Sequence, residues 1–329
     1  MTIPAIDISP FVAGSSADRT AVAQRVGGAA ADIGLFTISG HGVSDELVAR
    51  MGEVSRAFFA LPLAEKLAVG QPRPEQSRGY IGLGTETLAA SRGDQGPSDL
   101  KEFFAIGPPD IPDEPYYRSA QAYPSFAPNV WPTNPAGFRR IWTDYYRALE
   151  RLAATIMRIF AVALRLPPDF FADKTDRHIS GLRALNYPAQ LRPPQPGQLR
   201  AGPHTDYGAV SIVRSDRALG GLQVQDRRGE WVDVDAAPGC FVANLGDLMR
   251  RWTNDRWRSA LHRVVNPPRE AAATSRLSVV FFHQPNYDAL IECLPTCTGA
   301  DDPPRYPPVT SGEHRLQKFL KGVGAAYAG

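Results

Sequence analysis

Residues 179–294 decide the fold, because short alternating segments recur there with turn residues between them. Gly220-Gly221 and the run from Asp226 to Gly229 are turns of this kind. Many short, evenly spaced strands predict a β-sandwich or jelly roll. The segments are GLRALNYP (181–188), AVSIV (209–213), LQVQ (222–225), WVDV (231–234), CFVANL (240–245), LHRVV (261–265) and RLSVVFF (276–282).

Outside this stretch the sequence predicts helices, short strands and one long loop region. Asn134-Pro135 is expected to begin a long helix, with Asn as the cap and Pro at the first helical position. Ser44 is a suitable cap for another helix. The Pro- and Gly-rich residues 70–133 favour loops, which are often functional. The predicted elements are a strand at 3–11, helices at 17–32 and 44–60, a strand at 35–42, short strands at 79–81 and 102–106, a helix at 134–166, a turn or short helix at 246–254 and a final helix at 312–322.

Composition and charge narrow the class of protein. The 329 residues are 43% hydrophobic and 21% charged, which is ordinary for a soluble globular protein. A net charge of +2 is too small to indicate a nucleic-acid or membrane partner. The N-terminus does not look like a signal peptide, and three cysteines are too few for a disulfide framework. We therefore expect a cytoplasmic protein, and because the chain shows no obvious exposed apolar seam we expect a monomer.

A possible metal site lies within the strand-rich region. His204 and Asp206 are two residues apart, so in a strand their side chains point to the same face, and His262 follows in a later strand. Two imidazoles and one carboxylate are the ligands of non-haem Fe(II) sites that keep open positions. A His-x-Asp triplet alone is common, and an isolated His is more often a packing or surface residue. Of the other four histidines, only His283 competes as a ligand.

A second group of residues indicates a carboxylate-binding site. Arg276 and Ser278 share one face of the apolar strand RLSVVFF. No acidic residue lies nearby in sequence to pair with Arg276, and a buried Arg needs an anionic partner. An Arg fork and a hydroxyl together suit one terminal carboxylate. Tyr187 could add a donor to the same group, although a core Tyr beside a turn Pro is an equally good interpretation.

These motifs, taken in order, resemble the isopenicillin N synthase-like group of Fe(II)- and 2-oxoglutarate-dependent oxygenases. The similar pieces run the whole length and are specific in combination. They are IPAIDISPF, GLFTISGHGV, FFALPLAEK, GY at 79–80, DLKEFFAIG, NVWP, LNYP, HTDYG, GGLQVQ, GEWVDV, NLGDLMRRWTN, SALHRVVNPP and RLSVVFF.

The resemblance implies an α+β fold, with a double-stranded β-helix (jelly-roll) core flanked by helices and an N-terminal mixed α/β region. It divides the chain into an N-terminal oxygenase region (1–133), a long supporting helix (134–178), the jelly-roll core (179–294) and a C-terminal tail and helix (295–329).

The resemblance also implies the chemistry. His204, Asp206 and His262 would bind Fe(II), and Arg276 and Ser278 would hold the distal carboxylate of 2-oxoglutarate, with Tyr187 often joining them. The enzyme would use O2 to hydroxylate, desaturate or cyclise a small substrate, releasing succinate and CO2. The family motif usually reads Asn-Tyr-Tyr-Pro in plant members, so the Leu-Asn-Tyr-Pro here makes Asn186 a less secure contact.

Position alone suggests substrate contacts, and core packing or surface exposure explains each of them as well. An Arg in the pocket would favour a substrate with its own carboxylate, and the aromatic residues a mainly apolar one. The candidates are Arg78, Tyr80, Phe103, Phe104, Met249, Arg250, Arg251, Phe282 and His283.

Two alternatives remain at this point. One is an Fe(II) oxidase of the isopenicillin N synthase type, in which Arg276 and Ser278 hold a substrate carboxylate and no 2-oxoglutarate is used. The other is a non-catalytic binding protein built on a jelly roll.

Overall fold

The computed structural model describes residues 2–93 and 96–323. The helices are α1 (Ser9–Ala13), α2 (Ser16–Asp32), α3 (Asp45–Phe59), α4 (Leu63–Leu67), α5 (Pro115–Arg118), α6 (Phe138–Ala163), α7 (Ala172–Thr175), α8 (Asp247–Trp252) and α9 (Ser311–Val323), with short 3-10 turns at Leu88–Arg92, Arg269–Ala271 and Pro295–Cys297. The strands are β1 (Ala5–Asp7), β2 (Leu35–Ser39), β3 (Gly79–Ile81), β4 (Glu102–Ile106), β5 (Gly181–Tyr187), β6 (Ala201–His204), β7 (Val210–Ser215), β8 (Leu222–Gln225), β9 (Trp231–Asp233), β10 (Phe241–Leu245), β11 (His262–Val264), β12 (Arg276–His283), β13 (Leu290–Ile291) and β14 (Val309–Thr310).

Two sheets form the core and confirm the predicted jelly roll. The large sheet has the strand order β1-β2-β10-β7-β12-β5-β4-β3, and the smaller one has the order β6-β11-β8-β9. One apolar cluster contains Leu185 and Val280 from the large sheet together with Val224 and Val264 from the small one. The two sheets therefore face each other across a shared interior, with one end left open as a cavity.

Strand β12 is buried on both faces, and its two sets of alternating residues have different neighbours. Leu277, Val279 and Phe281 belong to the apolar cluster that also contains the buried face of helix α6. The alternate residues, from Arg276 to Phe282, line the cavity between the sheets. In RLSVVFF, one set of alternating residues therefore packs in the layer that helix α6 covers, and the other set lines the cavity.

The N-terminal region contributes strands to the same large sheet. Strand β2 pairs with β10, and β4 pairs with β5. The short strands predicted at 79–81 and 102–106 are confirmed as β3 and β4, while the division into four regions stays a prediction. No helix within residues 2–93 or 96–323 combines the length and apolar character needed to cross a bilayer.

The boundaries of the predicted helices agree with the structure except at the start of the long helix, and the first predicted strand is shorter than expected. Helix α3 has Ser44 as its N-cap, which accepts a hydrogen bond from the Leu47 amide as expected. The long helix does not begin at Asn134-Pro135, and that prediction was wrong: α6 starts at Phe138, after Gly137 at φ 77°. Only a glycine adopts that left-handed backbone without strain. The strand predicted at 3–11 is limited to β1, because Pro10 lies in the first turn of α1.

Candidate active site

The predicted metal ligands come together at one end of the small sheet. Strands β6 and β11 pair so that His204 lies directly opposite His262, with ring centroids 4.2 Å apart. The Oδ1 atom of Asp206 is 3.9 Å from the Nε2 atom of each histidine. Strand β6 ends at His204, so the expectation that Asp206 shares its strand was wrong; the bend after the strand brings the carboxylate back beside the rings.

Backbone carbonyls orient both imidazoles. The Nδ1 atom of His204 lies 2.8 Å from the Gly202 oxygen, and that of His262 lies 2.8 Å from the Ala260 oxygen. A carbonyl oxygen can only accept, so each Nδ1 carries the proton and each Nε2 keeps its lone pair. This is the hydrogen-bonding arrangement that fixes metal-binding histidines in other proteins.

Asp206 is held as an ionised carboxylate. Asn244 donates to its Oδ2 at 2.7 Å. Burial alone would raise the pKa of Asp206, but the His262 and His204 rings and hydrogen bonds from Ser211 and Asn244 outweigh burial and lower it. Burial, followed by the neighbouring His262, lowers the pKa of His204 to about 3. His204 is therefore a neutral imidazole beside the Asp206 anion.

The donor set fits a divalent transition metal. Among the described residues, these three are the group of His, Cys, Asp or Glu whose ligand atoms all lie within 4.8 Å of one another. Bonds of about 2.0–2.2 Å to a single ion then require only small side-chain shifts. Three ligands leave further positions of such an ion open to the cavity, which is the property that oxygen-activating iron sites share.

The predicted carboxylate site lies at the start of β12. The Nη1 atom of Arg276 donates to Ser278 Oγ at 2.6 Å, and Arg276 lies opposite Tyr187 of β5, whose ring centroid is 5.4 Å from the guanidinium carbon. Ser278 Oγ also lies 3.1 Å from Ser215 Oγ. Arg276 is buried, and within the described residues its Nε has no hydrogen-bond partner. A buried, incompletely satisfied guanidinium fits an anionic ligand.

Both groups line one cavity of about 160 Å³ between the two sheets. Its wall follows the strand alternation, with residues 276, 278, 280 and 282 from β12 and residues 181, 183, 185 and 187 from β5. The 3-10 turn Leu88–Arg92 and helix α9 pack together, and they contribute Leu88 and Arg315. The size of the cavity suits a small molecule.

The predicted substrate contacts divide into two sets. Arg78 and Phe282 line the cavity. The others do not line it. Tyr80, Phe104 and Met249 lie in the apolar core, and His283 is buried with its Nδ1 atom 3.1 Å from Ser180 Oγ. Phe103 packs against the Arg183 guanidinium, Arg250 forms an ion pair with Asp255, and Arg251 donates a hydrogen bond to the Pro307 carbonyl oxygen.

Sequence analysis missed four charged residues of the cavity wall, namely Glu86, Lys101, Arg183 and Arg315. Arg183 could have been found, because it lies four residues before Tyr187 in the same predicted strand and therefore on the same face. The other three come from loops or a helix distant in sequence. No local pattern in the chain indicates that they meet at this cavity.

Comparison with known proteins gives matches over nearly the whole chain. A model described as the N-terminal region of non-haem dioxygenases in morphine synthesis matches residues 3–134, and the model of the 2OG-Fe(II) oxygenase superfamily matches residues 179–285.

Individual proteins are similar over nearly the full length of the chain. The 2-oxoglutarate-Fe(II) type oxidoreductase hxnY of Emericella nidulans is 35% identical over 330 residues, covering 99% of this chain and 91% of that protein. A homoarginine-6-hydroxylase of Oryza sativa subsp. japonica is 34% identical over 332 residues, covering 97% and 96%. A full-length Neurospora crassa protein, crystallised with alpha-KG and thymine, superposes with a TM-score of 0.84 at 30% identity, covering 96% of each chain.

Proposed function

Because the chain belongs to the 2OG-Fe(II) oxygenase superfamily, we propose that His204, Asp206 and His262 hold its Fe(II) and that Arg276, Ser278 and Tyr187 bind 2-oxoglutarate. The protein is an enzyme that oxidises a small organic molecule with O2, using Fe(II) as cofactor and 2-oxoglutarate as co-substrate. Succinate and CO2 are the by-products. The relatives favour this activity over an oxidase that does without 2-oxoglutarate.

One observation carries the residue assignments: the His–Asp–His group and the incompletely satisfied Arg276 line the same cavity. A dicarboxylate with a keto group can engage both at once, through its keto-acid end at the metal and its far carboxylate at Arg276. Ser278 and the planar Arg fork suit that carboxylate in charge and geometry. A non-catalytic binding protein would need neither the metal group formed by His204, Asp206 and His262 nor the carboxylate clamp formed by Arg276 and Ser278.

The protein groups position and protect the reactants. When bound, iron and 2-oxoglutarate supply the oxidising power that removes hydrogen from a substrate carbon. Asn244 holds the Asp206 carboxylate, and the two backbone carbonyls hold the imidazoles, so that the three donor atoms face the cavity. The apolar parts of β5 and β12 exclude water from the space beside them.

The substrate is proposed to be a small organic molecule that contacts Arg78 and Phe282, and hydroxylation is the proposed outcome, with desaturation or ring formation as variants of the same chemistry. The rice relative is named for homoarginine and the Neurospora structure for thymine, so their names select no single substrate. The cavity of about 160 Å³ limits its size. A cytoplasmic monomer is part of the proposal, and the three free cysteines fit a reducing compartment.

Succinate formation tests the proposed function. Purified protein supplied with Fe(II), ascorbate, 2-oxoglutarate and a panel of small metabolites should release succinate in proportion to the oxidised product. The Asp206→Ala variant should release none above the background without enzyme, and Arg276→Met should need a higher 2-oxoglutarate concentration for the same release. Product formation that continues when 2-oxoglutarate is omitted would contradict the proposal.

A further inference from the structure

Three arginines gather at one side of the cavity, away from the carboxylate clamp. Arg78 lies in the loop before β3, Arg183 lies on β5 and Arg315 lies on α9, and all three line the cavity. They are close enough to repel one another: burial and then the charge of Arg315 lower the pKa of Arg78 to about 9, and burial and then Arg183 lower that of Arg315 to about 10. Like charges gathered in a buried space are unfavourable unless an anion joins them.

The protein's own carboxylates do not balance this cluster. Arg183 is 3.4 Å from Glu86, but Glu86 is also 2.8 Å from Lys101, which in turn is 2.7 Å from Asp99. These four groups form a balanced set of two cations and two anions. Among residues 2–93 and 96–323, Arg78 and Arg315 have no carboxylate within ion-pair distance.

The hydrogen bonds of Arg78 and Arg315 show which of them can reach a ligand. Arg78 donates to the carbonyl oxygens of Ser125, Ala127 and Ser77, so most of its guanidinium is used by the backbone. The one hydrogen bond described for Arg315 is from Nη1 to Ser125 Oγ, at 3.0 Å. Arg315 therefore keeps donors for a ligand, while Arg78 adds positive charge to the wall of the same cavity.

Arg183 is also presented to the cavity. Its guanidinium lies between the rings of Phe103, at 4.7 Å, and Phe282, at 5.5 Å, and it donates to Ser77 Oγ at 3.0 Å. Aromatic faces on both sides fix the plane of the fork. A fixed planar fork suits a carboxylate.

This cluster is separate from the 2-oxoglutarate site. Arg183 lies four residues before Tyr187, so the two positions are roughly 13 Å apart along β5. A 2-oxoglutarate molecule that spans Arg276 and the metal has both carboxylates engaged already. The arginine cluster is nevertheless near the metal group, because Glu86, which contacts Arg183, lines the cavity together with His204.

We propose that Arg183 and Arg315 bind a carboxylate of the oxidised substrate itself, so that the enzyme acts on a small organic acid. The aromatic ring of Phe282 and the apolar residues that line the same cavity then cover the carbon skeleton. This inference rests on the proposed function, since it assumes that 2-oxoglutarate occupies the Arg276 site.

Binding of matched acids and amides tests the proposal. Protein loaded with Mn(II) and saturating 2-oxoglutarate is titrated with small acids and their primary amides, beginning with benzoate and benzamide and with hexanoate and hexanamide, and followed by calorimetry and thermal melting. Acids are expected to bind and amides to bind at least roughly tenfold more weakly, because an amide leaves the cations unpaired.

Substitutions of the two arginines test whether these side chains bind the acid. Arg183→Met and Arg315→Met should each weaken acid binding at least roughly tenfold and leave 2-oxoglutarate binding unchanged. Arg183→Lys and Arg315→Lys keep the charge and should restore part of the affinity, which separates ligand binding from misfolding. As a control, Arg158→Met removes an exposed arginine of helix α6 that pairs with Asp169. It should change neither the affinity for the acid nor that for 2-oxoglutarate.

Three results would overturn the inference: acids and amides that bind alike, acid affinity that survives both methionine variants, or no binding by any acid in the set. Wild-type protein that fails to bind 2-oxoglutarate with Mn(II) would instead overturn the proposed function, and this inference with it. The two failures are therefore distinguished by the 2-oxoglutarate titration of the wild-type protein.

Discussion

Replacing Arg276 with Met should weaken 2-oxoglutarate binding by about 30-fold to a few thousandfold. Arg276 is 3% exposed and has no ion pair among the described residues, so its charge is available to the ligand. Losing one partner of a buried charge pair costs about 2–5 kcal/mol, and each 1.4 kcal/mol corresponds to a tenfold change in affinity. Ser278 remains in the variant and still donates one hydrogen bond. The assay is calorimetric titration of Mn(II)-loaded protein with 2-oxoglutarate.

Two further variants make this measurement specific. Arg276→Lys keeps the charge but loses the planar fork, so its affinity should lie between those of the wild type and the Met variant. Arg217→Met removes an exposed arginine that pairs with Asp235, and it should bind 2-oxoglutarate normally. An Arg276→Met dissociation constant within twofold of the wild-type value would refute the assignment of this residue as the clamp.

Three other predictions follow from buried groups near the site. His283→Ala should keep its iron, measured as metal content after gel filtration, because His283 bonds to Ser180 and lies outside the cavity wall; loss of metal would show that the wrong histidine was chosen. Gly246→Ala should lower metal affinity and cost about 1–3 kcal/mol of stability in urea unfolding, because its new Cβ would lie 2.9 Å from the Asp206 carbonyl oxygen; wild-type values for both would exclude a backbone role in placing Asp206. Glu86→Gln should remove pH-dependent stability: Lys101 and Arg183 outweigh burial and lower the Glu86 pKa from 4.5 to about 2, so roughly 3 kcal/mol is present above pH 4.5 and lost as the pH falls toward 2. An equal difference from the wild type at pH 2 and pH 7 would contradict it.

The strand pattern predicted the core of the fold because alternation is a local property. RLSVVFF became β12, and its alternate residues face the cavity as a two-residue period requires. The same period places Phe282 on the cavity wall and His283 on the opposite face. The alternation in the sequence is therefore enough to distinguish these two candidates.

Features that depend on packing between distant segments could not be predicted in this way. Asp206 faces the two histidines because the chain bends after β6, not because it continues the strand. Arg315 reaches the cavity because helix α9 packs on the Leu88–Arg92 turn, two segments far apart in sequence. The start of α6 depended on the backbone conformation of Gly137, which the Asn134-Pro135 signal did not indicate.

In the proposed active site, His204, Asp206 and His262 hold an iron ion to which 2-oxoglutarate binds while Arg276 holds its far end. Anaerobic titration with Fe(II) and 2-oxoglutarate tests it most directly, because a keto acid that chelates Fe(II) produces a visible charge-transfer absorption. The wild-type protein should develop this absorption, the Asp206→Ala and His262→Ala variants should not, and Arg276→Met should need a higher 2-oxoglutarate concentration. An absorption that develops unchanged in the Asp206→Ala and His262→Ala variants would show that these residues do not hold the iron.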